Sequence, residues 1–154
     1  MLIGAVDVLP RLFGEVHVPP AVIGELQHPA TPTQVKTWVA NLPNWLTVTA
    51  PAGNVSLDPS LDPGEAEAIA LALELRAAAL LVDEKRGRRV AAAQGLTVLS
   101  TITVLELAAE HGLIRLTDAF DALKSTTFHI TPAILDAALA RDAARRKSQS
   151  GSAE

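Results

Sequence analysis

Apolar and polar positions change period several times along the chain, and the clearest change falls between Asp62 and Arg89. Asp62-Pro63-Gly64-Glu65 opens an Ala/Leu-rich run to Leu75, which predicts a helix of about three turns. Arg76 and Ala77 then turn the chain. Leu80 to Val82 is apolar without alternation, as expected of a strand buried on both faces. The acids Asp83 and Glu84 end that strand, and a basic cluster follows them.

The flanking sequence repeats the alternation. Residues 3 to 12 read as the end of a helix that Pro10 bends or stops, and Glu15 to Val18 alternates like a strand. Pro19-Pro20 seeds a short helix through Gln27. Thr31-Pro32 opens another, with Val35, Trp38, Val39 and Leu42 spaced for one apolar face, and Trp45 to Thr49 reads as a strand. After the central unit come a strand over Leu96 to Leu99, a helix from Thr101 to His111 stopped by Gly112, and helices over Leu116 to Lys124 and Thr131 to about Arg145, each with a threonine at its start. Helices alternating with short strands predict an α/β protein with a short parallel sheet covered on its faces.

The loop from Ala50 to Leu61 is rich in Pro, Gly, Asn, Ser and Asp and reads as a surface flap, too short to divide domains. Residues 1–145 are therefore expected to form one domain, and 146–154 a disordered polar tail. The 154 residues suffice for an ordinary core, which at 49% hydrophobic and 3% aromatic content is built from Ala, Leu, Ile and Val. No apolar run reaches the ~18 residues of a membrane span, and no signal peptide is visible. Cysteine is absent, which excludes disulfides and thiolate metal sites. These features lead to the expectation of a cytoplasmic protein without a membrane partner.

Two readings of the acids stand side by side. A helix antiparallel to its following strand starts where that strand ends, so Glu65 and Asp83 fall on one rim, where open α/β sheets bind ligands. Paired carboxylates there suit a hard divalent cation such as magnesium. The same residues also make a good capping sequence, with Asp62 as N-cap, Pro63 at the first helical position and Glu65 three residues on, while Asp83 could cap the helix beginning at Glu84. Glu67 lies about 200° around the axis from Glu65 and is the less favoured ligand. Glu25, in the short helix after Pro20, reads by itself as an exposed acid.

The net charge of −4 argues against broad electrostatic binding to nucleic acid. Eight of the 13 basic residues nevertheless fall in two windows, Lys85, Arg86, Arg88 and Arg89, then Arg141, Arg145, Arg146 and Lys147. The first follows Asp83 directly and could meet a phosphate backbone; its alternative is a solvated helix face. Trp38 and Trp45 read as packing residues, and His17, His28, His111 and His129 have no ligand spacing.

The segments FGEVHVPPAVIGEL, DPGEAEAIALALEL, LLVDEKRGRRVAAAQGL and FHITPAILDAAL resemble, in order and spacing, the PIN-like proteins of the DUF3368 family, over about Ile3 to Leu139. The resemblance implies a three-layer α/β/α sandwich with a short parallel sheet. It also implies a metal-dependent ribonuclease, commonly the toxin of a toxin–antitoxin pair, with Mg2+ or Mn2+ at one end of the sheet. By this match Glu25, Glu65 and Asp83 are the metal-holding and catalytic acids, with Glu84, Ser100 and Thr101 as secondary candidates. Lys85, Arg86, Arg88 and Arg89 would contact RNA, and the expected partners are RNA, an antitoxin and a second copy of the chain.

The family's chains open with an apolar strand ending in Asp, and that strand lies mid-sheet. Here Met1 falls inside the helix that should follow it, so the central strand is expected to be missing from this chain. Asp7 aligns with a surface position of that helix and is no substitute. Loss of the strand would leave two unpaired edges. Three readings follow: a start upstream of Met1, a strand from another chain, or an inactive PIN-like module that binds nucleic acid or an antitoxin. A receiver-like regulatory domain is disfavoured, since no phosphate-sensing lysine can be placed.

Overall fold

A computed structural model of the protein describes residues 5–53, 58–126 and 128–150. In chain order the elements are α1 (Val8–Phe13), β1 (Val16–Val18), α2 (Pro20–Leu26), α3 (Thr33–Ala40), β2 (Leu46–Val48), α4 (Pro63–Glu74), β3 (Leu80–Leu81), α5 (Lys85–Ala93), β4 (Val98–Leu99), α6 (Thr101–Glu110), α7 (Leu116–Lys124) and α8 (Pro132–Ser150). Among the described residues every pairing between strands is parallel: β1 with β2 in the register Val16 to Leu46, and β3 with β4 in the register Leu80 to Val98. Helices intervene because parallel neighbours need a crossover, and the elements follow the expected α/β alternation. The described residues divide into two compact units, Leu9–Thr101 and the remainder, within the stretch read from sequence as one domain.

Local chemistry accounts for most boundaries. Pro20 occupies the first position of α2, where its missing N–H costs no bond. Arg76 at φ 48° turns the chain out of α4, and Gly95 and Gly112 at φ 83° and 68° do the same after α5 and α6. Pro10 lies in the first turn of α1 and does not end it, since the first-turn N–H groups have no intrahelical acceptor. Nor does a threonine cap α7, whose N-cap is Arg115 without a side-chain bond. Residues 146–150 continue α8, while the rest of the expected tail lies outside the described residues.

In the Leu9–Thr101 unit, Ile69, Ala72, Leu80 and Ala91 form the core, so α4, β3 and α5 pack on one another. Leu80 is buried, but Leu81 is 46% exposed. Successive strand residues face opposite ways, and the expectation of a strand covered on both faces fails at Leu81. Among the described residues β1 and β3 each have a single hydrogen-bonded neighbour, no strand joins the two pairs, and none precedes α1.

The other unit is centred on Phe120 and Leu116, both fully buried, with Ile102, Leu105, Leu123, Leu135 and Ala138 around them. Its surface consumes most of the second basic window. Arg141 meets Glu106 at 2.9 Å, Arg145 lies 3.7 Å from Glu110, and Arg146 reaches the buried Asp142 at 2.8 Å. Among the described residues no helix is long and apolar enough to cross a membrane.

Candidate functional site

Asp62 and Glu65 build the start of α4 between them. The Glu65 N–H donates to Asp62 Oδ1 at 2.7 Å, and the Asp62 N–H donates to Glu65 Oε2 at 3.4 Å, a capping box. The capping role read from the sequence is therefore real. It uses one carboxylate oxygen of Glu65, and the other, Oε1, is buried without a hydrogen-bond partner. Oε1 presses against α5 at Gly87, where a Cβ would stand 2.5 Å away. Burial, then the nearby Asp62 carboxylate, hold Glu65 above the usual glutamate range; the Asp62 N–H pulls the other way, Glu84 adds to the rise and Arg86 opposes it.

Glu25 and Glu67 tie α2 to α4 reciprocally. The Gly64 N–H in the first turn of α4 donates to Glu25 Oε1 at 2.9 Å, while the Ala21 N–H in the first turn of α2 donates to Glu67 Oε2 at 2.9 Å. Each helix thus offers a carboxylate to the orphan N–H groups and positive dipole end of the other. The pairing of 25 with 64 and 21 with 67 makes the two helices antiparallel. A side chain at Gly64 would fall 2.5 and 2.7 Å from the Glu25 oxygens, so only glycine lets them approach.

Asp83 turns toward the chain that follows β4 and leaves α5 uncapped by its side chain. Its Oδ1 accepts the Thr101 N–H at 2.8 Å and its Oδ2 accepts the Thr101 hydroxyl at 2.5 Å. Glu84 is the N-cap of α5 but makes no side-chain cap bond. Ser100 lies between β4 and Thr101.

Between α4 and α5 runs an open groove of about 570 Å³, lined by Ser60, Asp62, Glu65, Glu84, Lys85, Arg86 and Arg89. Arg86 donates from Nη1 to the Ser60 carbonyl and so holds the 58–62 turn beside α5. In that turn Asp58 accepts the Ser60 hydroxyl and N–H, which hold its carboxyl below the usual range, aided by the charges of Arg86 and Arg89. The side chains of Lys85 and Arg89 make no hydrogen bond or ion pair among the described residues, and Arg88 does not line the groove.

The structure thus brings Glu65, Glu84, Lys85, Arg86 and Arg89 to one groove and places Glu25 beside Gly64, next in the chain to Glu65. Asp83 sits with Thr101 outside that lining. Among the described residues no group of three or more His, Asp or Glu is placed to hold a metal ion. Glu65 Oε1 is the oxygen left open; Glu25 and Asp83 hold backbone donors and keep further lone pairs. Sequence reasoning missed the bond from Ala21 to Glu67 and the contact of Gly87 with Glu65. The glycine inside the basic helical run was a local signal for the second; nothing local marked the first.

The model of one protein family matches residues 1–143: DUF3368, described as a PIN domain. The parallel strand pairs and intervening helices accord with that family's α/β/α arrangement and short parallel sheet. No curated protein and no solved structure matches the chain.

Proposed function

Given that the chain belongs to the DUF3368 family of PIN domains, we propose that it is a PIN-like module that binds nucleic acid through the groove between α4 and α5. The observation that carries this reading is a division of labour among the charged residues. Glu25, Glu67 and Asp83, and one oxygen of Glu65, hold helix starts and chain turns, whereas Lys85, Arg86 and Arg89 stand exposed in the groove that Glu65 also lines. Cations on a rigid helix next to an open groove suit a phosphate backbone, which supplies most of the affinity in such complexes. The test is fluorescence anisotropy of a labelled oligoribonucleotide with chelator present. Binding that weakens as salt rises supports the module; no binding at 50 mM salt or below removes it.

A second reading, metal-dependent ribonuclease, is favoured by one specific observation, the buried and unpartnered Glu65 Oε1. A buried carboxylate oxygen without a donor is costly unless a proton or a cation meets it. In this reading Glu65 and Asp83 would hold Mg2+ or Mn2+ after moving together from their present places, with Glu25 contributing from α2 and Glu84, Ser100 and Thr101 nearby in sequence. Such an ion supplies an activated water and charge stabilisation for phosphodiester hydrolysis. Calorimetric manganese titration of the parent and of Asp83→Asn, each confirmed folded by circular dichroism, decides it. Binding lost with Asp83, together with manganese-dependent RNA cleavage, establishes the nuclease; a folded parent that takes up no manganese leaves the binding module.

A further inference from the structure

We propose that Lys85 and Arg89 are the two phosphate-contacting residues of the groove and that Arg86 is a strut that shapes it, an inference that rests on the nucleic-acid reading above. The four cations of α5 look equivalent in sequence, but the structure sorts them. Arg86 is committed to the Ser60 carbonyl, whereas Arg89 touches the 58–62 turn only through the charge of Asp58, which Arg86 also feels. Arg88 stands off the groove lining. Lys85 and Arg89 line it, and their side chains have no hydrogen bond or ion pair among the described residues.

Their spacing adds to the argument. Residues four apart on a helix lie about 40° apart around the axis and roughly 6 Å apart along it. Lys85 and Arg89 therefore make one row of two cations on the face opposite Gly87 and Ala91, the buried side of α5. A row of this length suits neighbouring phosphates of one strand. Asp62, Glu65 and Glu84 line the same groove, Glu84 directly before Lys85 at the start of α5, so the lining mixes acids with the cation row. Arg86, by holding the 58–62 turn, keeps the groove open beside the row.

The test measures the salt dependence of binding to a labelled oligoribonucleotide, in chelator, for the parent, Lys85→Ala, Arg89→Ala, Arg88→Ala and Glu84→Gln. Alanine suits a helix, so the folds should be retained, with circular dichroism as the check. Two contacts to single-stranded phosphates predict a slope of log K against log salt of about −1.4, and each of Lys85→Ala and Arg89→Ala should reduce its size by about 0.7. Arg88→Ala should change it less, and Glu84→Gln should tighten binding. A parent that binds while Lys85→Ala and Arg89→Ala leave the slope unchanged, or while Arg88→Ala changes it equally, overturns the pair and leaves the nucleic-acid reading standing. A parent that does not bind overturns both. Polyglutamate bound as tightly as the RNA, with the same loss in Lys85→Ala and Arg89→Ala, would reassign the row to an acidic protein partner.

Discussion

The carboxylate of Glu65 lies against Gly87 so closely that a Cβ added there would stand 2.5 Å from Oε1 and 3.0 Å from Cδ. The Val82 side chain closes the same space at 3.0 Å. In an exposed helix interior, glycine to alanine stabilises by about 1 kcal/mol. At Gly87 the sign should reverse. Glu65 can move aside only by breaking its capping box, and Val82 has little room, so Gly87→Ala should destabilise by about 1–3 kcal/mol in urea unfolding. In a Glu65→Ala background the cost should shrink, and the double-mutant coupling should fall within roughly 0.5–3 kcal/mol. A Gly87→Ala protein as stable as the parent would contradict the contact.

Stability should carry a pH dependence from Glu65. Burial, reinforced by Asp62, raises its folded value above the ordinary 4.5, so the folded protein binds more protons there than the unfolded chain. The contribution is fully present below the unfolded value and is lost as pH rises through the folded one. Read as the difference between the unfolding free energies of the parent and Glu65→Gln, this contribution should fall with rising pH, on top of the opposite slope from the lowered Asp58 that both proteins share. Parallel curves for the two proteins would show that Glu65 titrates normally.

The reciprocal carboxylates of α2 and α4 should be worth more together than either is alone. Each accepts a single N–H at 2.9 Å in a partly buried setting. Hydrogen bonds to charged groups contribute about 1.5–3 kcal/mol. Glu67→Ala should cost near the lower end and speed hydrogen exchange at the Ala21 amide. Exchange at Gly64 should also quicken if the two bonds hold the helices jointly; unchanged exchange there would make them independent.

Thr101 should matter through its hydroxyl. It donates to Asp83 Oδ2 while its N–H donates to Oδ1, so Thr101→Val deletes one of the two bonds and keeps the shape. The expected cost is about 1 kcal/mol, recovered in Thr101→Ser. Equal stability of the valine and serine variants would remove the hydroxyl from the account.

Elements defined by local chemistry were legible in the sequence. Asp62, Pro63 and Glu65 announce α4, and Leu116 to Lys124 is found as α7 with the expected bounds. What escaped depends on residues far apart in the chain. Asp83 looked like a cap for the helix beginning at Glu84, but its partner is Thr101, 18 positions on. Glu67 looked like a spare acid until Ala21 arrived opposite it, 46 positions away. The second basic window carried no sign of its partners, yet Glu106, Glu110 and Asp142 meet three of its members. Pro10 misled for a different reason: a proline tolerated in a first turn has the same local sequence signature as one that ends a helix.

The antiparallel tie between α2 and α4 also bears on the order in which the protein assembles. Its bonds span 39 and 46 positions, so neither can form until a long segment has been gathered and both helices exist. Contacts of that kind join after the rate-limiting step more readily than before it, and their loss is then felt in how fast the native state opens. On this view Glu25 and Glu67 should act as a late latch, their removal raising the unfolding rate far more than it lowers the folding rate.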